Sequence, residues 1–236
     1  MLLKFLVHIC MMADMDNNIF GLIASFLFLG SVIVFALVVK KVSNISSETM
    51  RKIVHIGVSN WWFFEIYFFT SLWYSLIGPL AFILVNTLFT FLDWGKAIGL
   101  DDRKRNYGLI YFPITLLILV ILQYQGLVSS VACTIGVLVM GYGDGFAAIV
   151  GKKWGKKKLS FPTGGKTYLG TLVMFIVSFL VSSIALVAYT SLPFGSILGV
   201  SLLVGLVASV AEAITPLGLD NLSVPLLAAW LVEVLV

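Results

Sequence analysis

The sequence predicts an all-α, polytopic integral membrane helix bundle with about eight transmembrane helices, and three observations lead to this prediction. Hydrophobic residues make up 60% of the 236 residues and charged residues only 11%, with a mean hydropathy of +1.08. Apolar stretches of about 20 residues, the length that crosses a hydrocarbon core, follow one another along most of the chain. Basic residues concentrate in three of the connections between them. A water-soluble domain needs more polar surface than this composition supplies.

The chain, residues 1–236, is predicted to be one transmembrane domain whose spans follow the apolar stretches in order. The opening segment, residues 1–17, is expected to be a peripheral interfacial helix, because its apolar run is short for a span. A retained signal-like segment is the alternative. The predicted spans are 18–40, 52–70, 72–92, 107–124, 127–150, 167–190, 194–215 and a short last one at 221–236.

The distribution of basic residues predicts the orientation of the bundle. With eight spans, the three basic connections leave the same side, and the positive-inside rule makes that side the cytoplasm. The alternate connections, near Thr70, Gly126 and Thr190, are short and uncharged. Both termini are then expected outside. The net charge of +4 reflects this topology, so no nucleic-acid partner is expected.

Asp144 is the first candidate site residue, because it lies in GYGDGF between two apolar runs. A carboxylate at membrane depth usually has a partner or a function. The flanking Gly143 and Gly145 permit close approach of the backbone to phosphate oxygens or a hydrated ion. The basic loop that follows, with Gly151, Lys152 and Gly155, is explained in part by topological anchoring and attraction to anionic lipid.

Lys166 is the second candidate, because it follows two glycines at the start of a predicted helix in SFPTGGKT. This segment nearly matches a phosphate-binding P-loop, but Ser160 replaces the first glycine and no parallel-sheet pattern precedes it. Backbone N–H groups at a helix N-terminus still favour an anion, and a lysine adds a full charge. Mg²⁺ prefers one or two carboxylates together with phosphate oxygens. Asp144 and Lys166 therefore indicate a binding site for a nucleotide with its Mg²⁺ ion. A purely structural loop is the alternative.

The stretch RKIVHIG supplies three further candidates at the start of the second predicted span. Arg51 and His55 are four residues apart and share a helix face, with Lys52 beside them. A lone histidine near a membrane interface is often a hydrogen-bonded structural group. If His55 is functional, it acts as a base or as a phosphate ligand.

The stretch EAITPLGLDNLSVP supplies the last candidates, Glu212, Asp220 and Asn221. A short turn with an Asp-Asn cap on the final helix accounts for Asp220, but it does not account for Glu212. Two acids that meet on the same face as Asp144 are able to complete a metal site or to activate a substrate hydroxyl.

Taken in order, RKIVHIG, GYGDGFAAIVGKKWGKKK, GGKTYLGT and EAITPLGLDNLSVP make the chain resemble a family of membrane lipid kinases. This family groups dolichol kinase, phytol kinase and the CTP-dependent diacylglycerol kinase, and it is related to phosphatidate cytidylyltransferase. The resemblance covers residues 45–236, the kinase-like core. It implies transfer of the γ-phosphoryl group of a nucleoside triphosphate, characteristically CTP, to the hydroxyl of a lipid alcohol, with a divalent metal ion. The acceptors it implies are a polyprenol, phytol, geranylgeraniol, farnesol or diacylglycerol.

The resemblance and the residue chemistry together predict the following roles. The expected catalytic residues are His55, Asp144, Lys166 and Glu212. The expected ligands of Mg²⁺ are Asp144, Glu212 and Asp220. The expected nucleotide-binding residues are Arg51, Lys52, Gly143, Gly145, Gly151, Lys152, Gly155, Lys166 and Asn221.

Two other functions compete with this interpretation. A cytidylyltransferase that joins CTP to phosphatidate needs the same metal and nucleotide site but another acceptor. A small transporter or a membrane scaffold is the non-enzymatic alternative, although the ionisable residues gather at one face and do not line a path through the membrane.

Overall fold

The computed structural model describes residues 2–91, 103–160 and 165–236, and the side chains of 15–91, 107–160 and 165–236. Within these ranges the chain is helical, with one isolated β-bridge between Lys158 and Thr167. A π-helical turn, Val139–Asp144, joins two of the helices without a break. The α-helices are α1 (Leu2–Ser43), α2 (Ser47–Ser59), α3 (Trp61–Phe68), α4 (Leu72–Phe91), α5 (Arg103–Tyr124), α6 (Ser130–Leu138), α7 (Gly145–Trp154), α8 (Tyr168–Tyr189), α9 (Phe194–Ile214) and α10 (Asp220–Leu235).

Six helical segments in the described part of the chain are long and apolar enough to cross a membrane. They match six of the predicted spans and confirm the all-α membrane bundle, although the count of eight is not confirmed. They are Met15–Ser43, Leu72–Phe91, Tyr107–Tyr124, Ser130–Trp154, Tyr168–Tyr189 and Phe194–Ile214.

The two remaining predicted spans differ from a simple membrane helix. The span 52–70 is divided at Asn60 into α2 and α3, and the Asn60 side chain donates to the carbonyl of Ile56 at 2.8 Å. Such a side-chain bond competes with the regular backbone ladder. The last span forms α10, whose 16 residues extend about 24 Å, less than a hydrocarbon core of about 30 Å.

The first helix is continuous from Leu2 to Ser43, across the predicted boundary at residue 17. The interfacial position of residues 1–17 stays a prediction, and the side chains of residues 1–14 lie outside the described ones.

One end of the bundle gathers the connections that follow α1, α7 and α9. The Lys152 amine donates to Ser46 Oγ at 3.3 Å, which joins the end of α7 to the α1–α2 connection. The Lys166 amine donates to the carbonyl of Thr215 at 3.2 Å, which joins the α7–α8 connection to the end of α9. These connections are among those predicted to share a side.

The opposite end contains the alternate connections, the start of the first apolar span and the end of the last helix. The hydroxyls of Tyr67 and Tyr189 lie 2.9 Å apart, and Asn18 donates to Thr70 Oγ1 at 2.9 Å. Near the C-terminus, the Glu233 carboxylate accepts from the backbone N–H of Ser129 at 2.6 Å. The start of the first apolar span and the end of α10 therefore lie at this end, opposite the basic loop. Which end faces the cytoplasm stays a prediction.

The segment Ser130–Trp154 is the central element of the bundle. Of its most apolar window, 72% is buried, against 17% for Met15–Ser43. Buried residues of α6 and the π-helical turn, such as Val137 and Met140, join one hydrophobic core with residues of α3, α5, α8, α9 and α10. The polar end of this central element therefore lies where several helices meet.

Candidate active site

Asp144 ends the π-helical turn and is buried, with 4% of its surface exposed. Its carboxylate forms an ion pair with the Lys52 amine. Nε2 of His55 lies 3.7 Å from Asp144 Oδ2 and makes no hydrogen bond with the described residues. Lys52 and His55 are three residues apart on α2, so both reach the same carboxylate. The sequence singled out these three residues, but it paired Asp144 with Lys166.

Close packing of α2 against the π-helical turn creates this contact. A Cβ atom on Gly141 would lie 2.2 Å from Ser59 Oγ, and a Cβ atom on Gly145 would lie 2.4 Å from Ile56 Cγ1. Only glycine leaves room for α2 at this distance. A π-helical turn inserts one residue into the helix and redirects the side chains near it, a feature common at functional sites.

Lys166 binds the other two acids of the predicted site. Its amine lies 3.0 Å from Glu212 Oε1 and 2.8 Å from Asp220 Oδ2, and it also donates to the carbonyl of Glu212. Burial lowers the pKa of Lys166, but the negative charges of Asp220 and Glu212 outweigh burial and raise the pKa above its ordinary value. Lys166 is therefore charged, and it joins the end of α9 to the start of α10.

The loop before α8 holds Lys166 in this position. The backbone N–H of Leu159 donates to the Lys166 carbonyl at 2.9 Å, as in a narrow hairpin. Thr167 caps α8, because its side chain accepts from the N–H of Gly170 at 3.1 Å. Residues 161–164, which include Gly164 of the predicted phosphate-binding motif, lie outside the described residues.

The three predicted metal ligands come together in the described structure. Asp144, Glu212 and Asp220 are all buried, and each offers an oxygen within 4.8 Å of the others. Glu212 Oε2 is buried without a hydrogen-bond partner among the described residues. Lys52 and Lys166 pair with these carboxylates, and the cluster still keeps an oxygen to which no described residue donates. This donor set fits a divalent cation that prefers oxygen ligands, such as Mg²⁺.

Asp220 and Asn221 also stabilise the turn that begins α10. Asp220 Oδ1 accepts from the backbone N–H of Asn221 at 3.0 Å and from its side-chain amide at 3.2 Å. The same amide donates to the carbonyl of Gly218 at 3.1 Å. The short turn that the sequence offered as an alternative is thus present, together with the bond to Lys166, but the N-cap of α10 is Leu219 and no side chain caps the helix. A nucleotide contact by Asn221 stays a prediction.

The four glycines predicted to bind nucleotide all lie at close helix contacts. A Cβ atom on Gly143 would lie 2.7 Å from Met174 Sδ of α8. On Gly151 and Gly155 it would lie 2.8 Å and 2.4 Å from Thr167 Oγ1. Gly145 contacts α2 in the same way, so close packing explains why all four positions are occupied by glycine. Their role in binding a nucleotide stays a prediction.

Lys152 pairs with an acid outside the cluster, and Arg51 lines a pocket. The exposed Lys152 forms an ion pair of 2.6 Å with Glu48, the first acidic residue of α2, so it stabilises the contact between α7 and α2. Arg51 lines an apolar pocket together with His55. Nucleotide binding by either residue stays a prediction.

This pocket, of about 400 Å³, lies between α1, α2, α4 and α5, and the sequence did not reveal it. Apolar side chains such as Leu29, Phe82 and Leu116 form most of its wall. In a membrane protein these residues have the same composition as a lipid-facing surface, so sequence carries no signal for such a site. His55 connects the pocket to the acid cluster, because it lines the pocket and approaches Asp144.

Comparison with known proteins identifies the family. A phytol kinase of Synechocystis sp. is 31% identical in an alignment of 218 residues that covers 86% of this chain and 87% of the relative. A probable chloroplastic phytol kinase of Zea mays is 31% identical over 77% of this chain and 65% of its own length. A probable chloroplastic phytol kinase of Triticum aestivum is 38% identical over 56% of this chain and 45% of its own length.

No family model and no solved structure matches the chain. The cyanobacterial relative nevertheless aligns with nearly the whole chain, as the four sequence motifs led us to expect. The chain belongs to the phytol kinase family of membrane lipid kinases.

Proposed function

We propose that the protein is a lipid-alcohol kinase that transfers the γ-phosphoryl group of a nucleoside triphosphate, with CTP as the expected donor, to an isoprenoid alcohol. The observation that supports this most is the buried cluster of Asp144, Glu212 and Asp220 with two lysines, reached by His55 from an apolar pocket. The names of the relatives support a kinase and an acceptor of the phytol type. Diacylglycerol is the alternative acceptor, and it is tested beside the isoprenoid alcohols.

We expect Asp144, Glu212 and Asp220 to hold Mg²⁺, since each offers a buried oxygen to a common point. When bound, the ion would supply positive charge to the oxygens of the β- and γ-phosphates. Glu212 Oε2 is the oxygen most available for this purpose, because no described residue donates to it.

Lys52 and Lys166 supply positive charge from two sides of the acid cluster. Each amine is held by carboxylates and is therefore fixed in position before a nucleotide binds. Fixed charges in a buried site stabilise the charge that develops on a phosphoryl group in flight. We therefore assign the two lysines to electrostatic stabilisation of the transferred group.

His55 is the base that the geometry favours. Its Nε2 atom has no described hydrogen-bond partner, and Asp144 lies 3.7 Å away to stabilise a protonated imidazole. The alcohol oxygen bonds to the γ-phosphorus while the bond from that phosphorus to the β–γ bridging oxygen breaks. The hydroxyl proton passes to His55 Nε2, and a nucleoside diphosphate leaves.

The test uses purified protein in detergent or lipid with Mg²⁺ and either CTP or ATP, labelled in the α or the γ position. The acceptors are phytol, geranylgeraniol, farnesol, a polyprenol, diacylglycerol and phosphatidate. We expect γ label in an isoprenoid alcohol, with CTP the better donor. Label from the α position in phosphatidate would instead identify a cytidylyltransferase. Absence of label in every acceptor would favour a transporter or a scaffold.

A further inference from the structure

We propose that the pocket between α1, α2, α4 and α5 binds the apolar tail of the acceptor alcohol and places its hydroxyl at His55. This inference rests on the proposed function and locates the acceptor within it. The acceptor it implies is an uncharged alcohol with a long apolar chain.

The pocket has the size and lining of a site for an apolar ligand. Its volume of about 400 Å³ lies within the range of roughly 300–1,000 Å³ that is usual for ligand pockets. Ala36, Phe112 and Leu116 are buried parts of its wall. Besides His55, the wall contains a charged residue, Arg51, and a polar one, Asn86, which already donates to the carbonyl of Leu109 at 2.7 Å. The other lining residues are apolar, and they favour a chain without polar groups.

One end of the pocket offers a polar atom that lacks a partner. The side chain of His55 is 10% exposed, and its Nε2 atom makes no hydrogen bond with the described residues. The ring of Phe112 packs against it with the centroids 4.5 Å apart, which fixes the imidazole. A buried polar atom without a partner is unfavourable, and a ligand hydroxyl at this point satisfies it. An alcohol is therefore the ligand that fits both the apolar wall and His55.

The depth of the pocket indicates how much of the tail it holds. Along α1 the lining runs from Leu29 to Leu37, a rise of about 12 Å, which is well short of a hydrocarbon core of about 30 Å. Ile33, Leu37 and Val85 line the pocket and are each more than 40% exposed, so it opens between α1 and α4. The part of the tail next to the hydroxyl is held by protein, and the remainder extends into lipid. Selectivity therefore depends on the hydroxyl-proximal part of the tail.

The test compares two phenylalanine substitutions on α1. Ala36→Phe places an aromatic ring on the pocket wall, whereas Val34→Phe places the same ring on a residue that is 60% exposed and does not line the pocket. We expect the KM for phytol to rise about tenfold or more in Ala36→Phe, which is a loss of about 1.4 kcal/mol or more in binding, because the ring occupies space that the tail needs. The KM for the nucleotide stays unchanged in both variants.

The outcomes separate this inference from the proposed function. A wild-type protein that phosphorylates no alcohol contradicts the proposed function. If the wild type is active but Ala36→Phe and Val34→Phe have the same KM for phytol, the proposed function stands and the binding of the tail in the pocket is contradicted.

A second readout needs neither activity nor a folded variant. Wild-type protein is cross-linked with a photoreactive isoprenoid alcohol that carries a diazirine near its hydroxyl, and the labelled peptides are mapped. We expect label on pocket residues such as Met50, Val54 or Phe112, and competition by unlabelled phytol. Label elsewhere, or label displaced by phospholipid but not by phytol, overturns the inference.

Discussion

At the scale of single residues, opposite charges from different parts of the chain hold the site together. Lys52 of α2 pairs with Asp144 of the central segment, while Lys166 pairs with Glu212 of α9 and Asp220 of α10. Such buried pairs contribute little net stability, but removal of one partner leaves an uncompensated charge. The same pairs fix the positions of the groups to which we assign the chemistry.

Replacement of Lys166 by methionine is expected to lower stability as well as activity. Glu212 and Asp220 would then lie buried without their shared cation, which lowers the free energy of unfolding by roughly 3–5 kcal/mol. Denaturant unfolding in detergent micelles measures this change. Lys156→Met, at an exposed position of the same loop, serves as the control with an expected change within about 0.5 kcal/mol. Equal stabilities of the two variants would argue against the buried pairs.

Replacement of His55 by glutamine is expected to affect chemistry more than binding. If His55 accepts the hydroxyl proton, kcat falls by roughly 10²–10⁴ while the KM for the nucleotide is unchanged. Steady-state kinetics with phytol and CTP measures both parameters. An unchanged kcat would instead assign His55 a structural role, the alternative that the sequence left open.

Sequence alone identified the charged residues of the site but not how they pair. Asp144, Lys166, Glu212 and Asp220 stand out because ionisable groups are rare in an apolar chain. The contact of Lys52 with Asp144 depends on how α2 packs against a π-helical turn, and no periodicity in the sequence reveals that turn.

At the scale of elements, glycines permit the central segment to contact its neighbours closely. Gly141 and Gly145 bring α2 to the π-helical turn, and Gly143 and Gly151 face α8 and its capping residue. The motif GYGDG was interpreted from sequence as a phosphate-binding feature, whereas the structure explains its glycines by the close packing of helices. Glycine permits both close approach to phosphate and close helix packing, so the sequence alone does not distinguish these two roles.

Substitution of Gly141 by alanine tests the contact between α2 and the π-helical turn. The new methyl group would lie 2.2 Å from Ser59 Oγ, so overpacking is expected to lower stability by about 1–3 kcal/mol. Thermal unfolding measures the effect, and it is monitored by dye labelling of the buried Cys133 in a Cys10→Ser background.

Two comparisons control this experiment. Gly30→Ala on α1, where nothing lies within 4 Å of the added atom, is expected to leave stability unchanged or slightly raised. The double variant with Ser59→Gly should recover much of the loss. Equal melting temperatures for Gly141→Ala and Gly30→Ala would contradict the close contact.

At the scale of the whole molecule, the sequence predicted the helical membrane bundle and six of its spans well. Hydropathy and length suffice for these because lipid imposes both. The two remaining predicted spans are not confirmed, because one is divided at Asn60 and the other forms a helix of only 16 residues. The tail pocket needed the structure, since it depends on the spaces that helices leave between them.

The orientation of the bundle is testable by labelling. If the positive-inside rule applies, Lys156→Cys reacts with a membrane-impermeant maleimide only from the cytoplasmic side, and Ser191→Cys only from outside. Both variants are made in the Cys10→Ser background and examined in intact cells and in inverted vesicles. Labelling of Lys156→Cys in intact cells would reverse the proposed topology, although the geometry of the site would be unaffected.

The central claim is that the buried acid cluster performs phosphoryl transfer, and Asp144→Asn tests it most directly. Transfer of γ label from CTP to phytol is measured beside the wild type and Glu48→Gln, a variant of a carboxylate that also pairs with a lysine but at the surface. We predict that Asp144→Asn lowers kcat by roughly 10²–10³ or more, because the site loses an expected ligand of Mg²⁺ and the carboxylate that holds the Lys52 amine in position. Glu48→Gln should retain nearly full activity. Transfer by Asp144→Asn at the rate of the wild type would contradict the account.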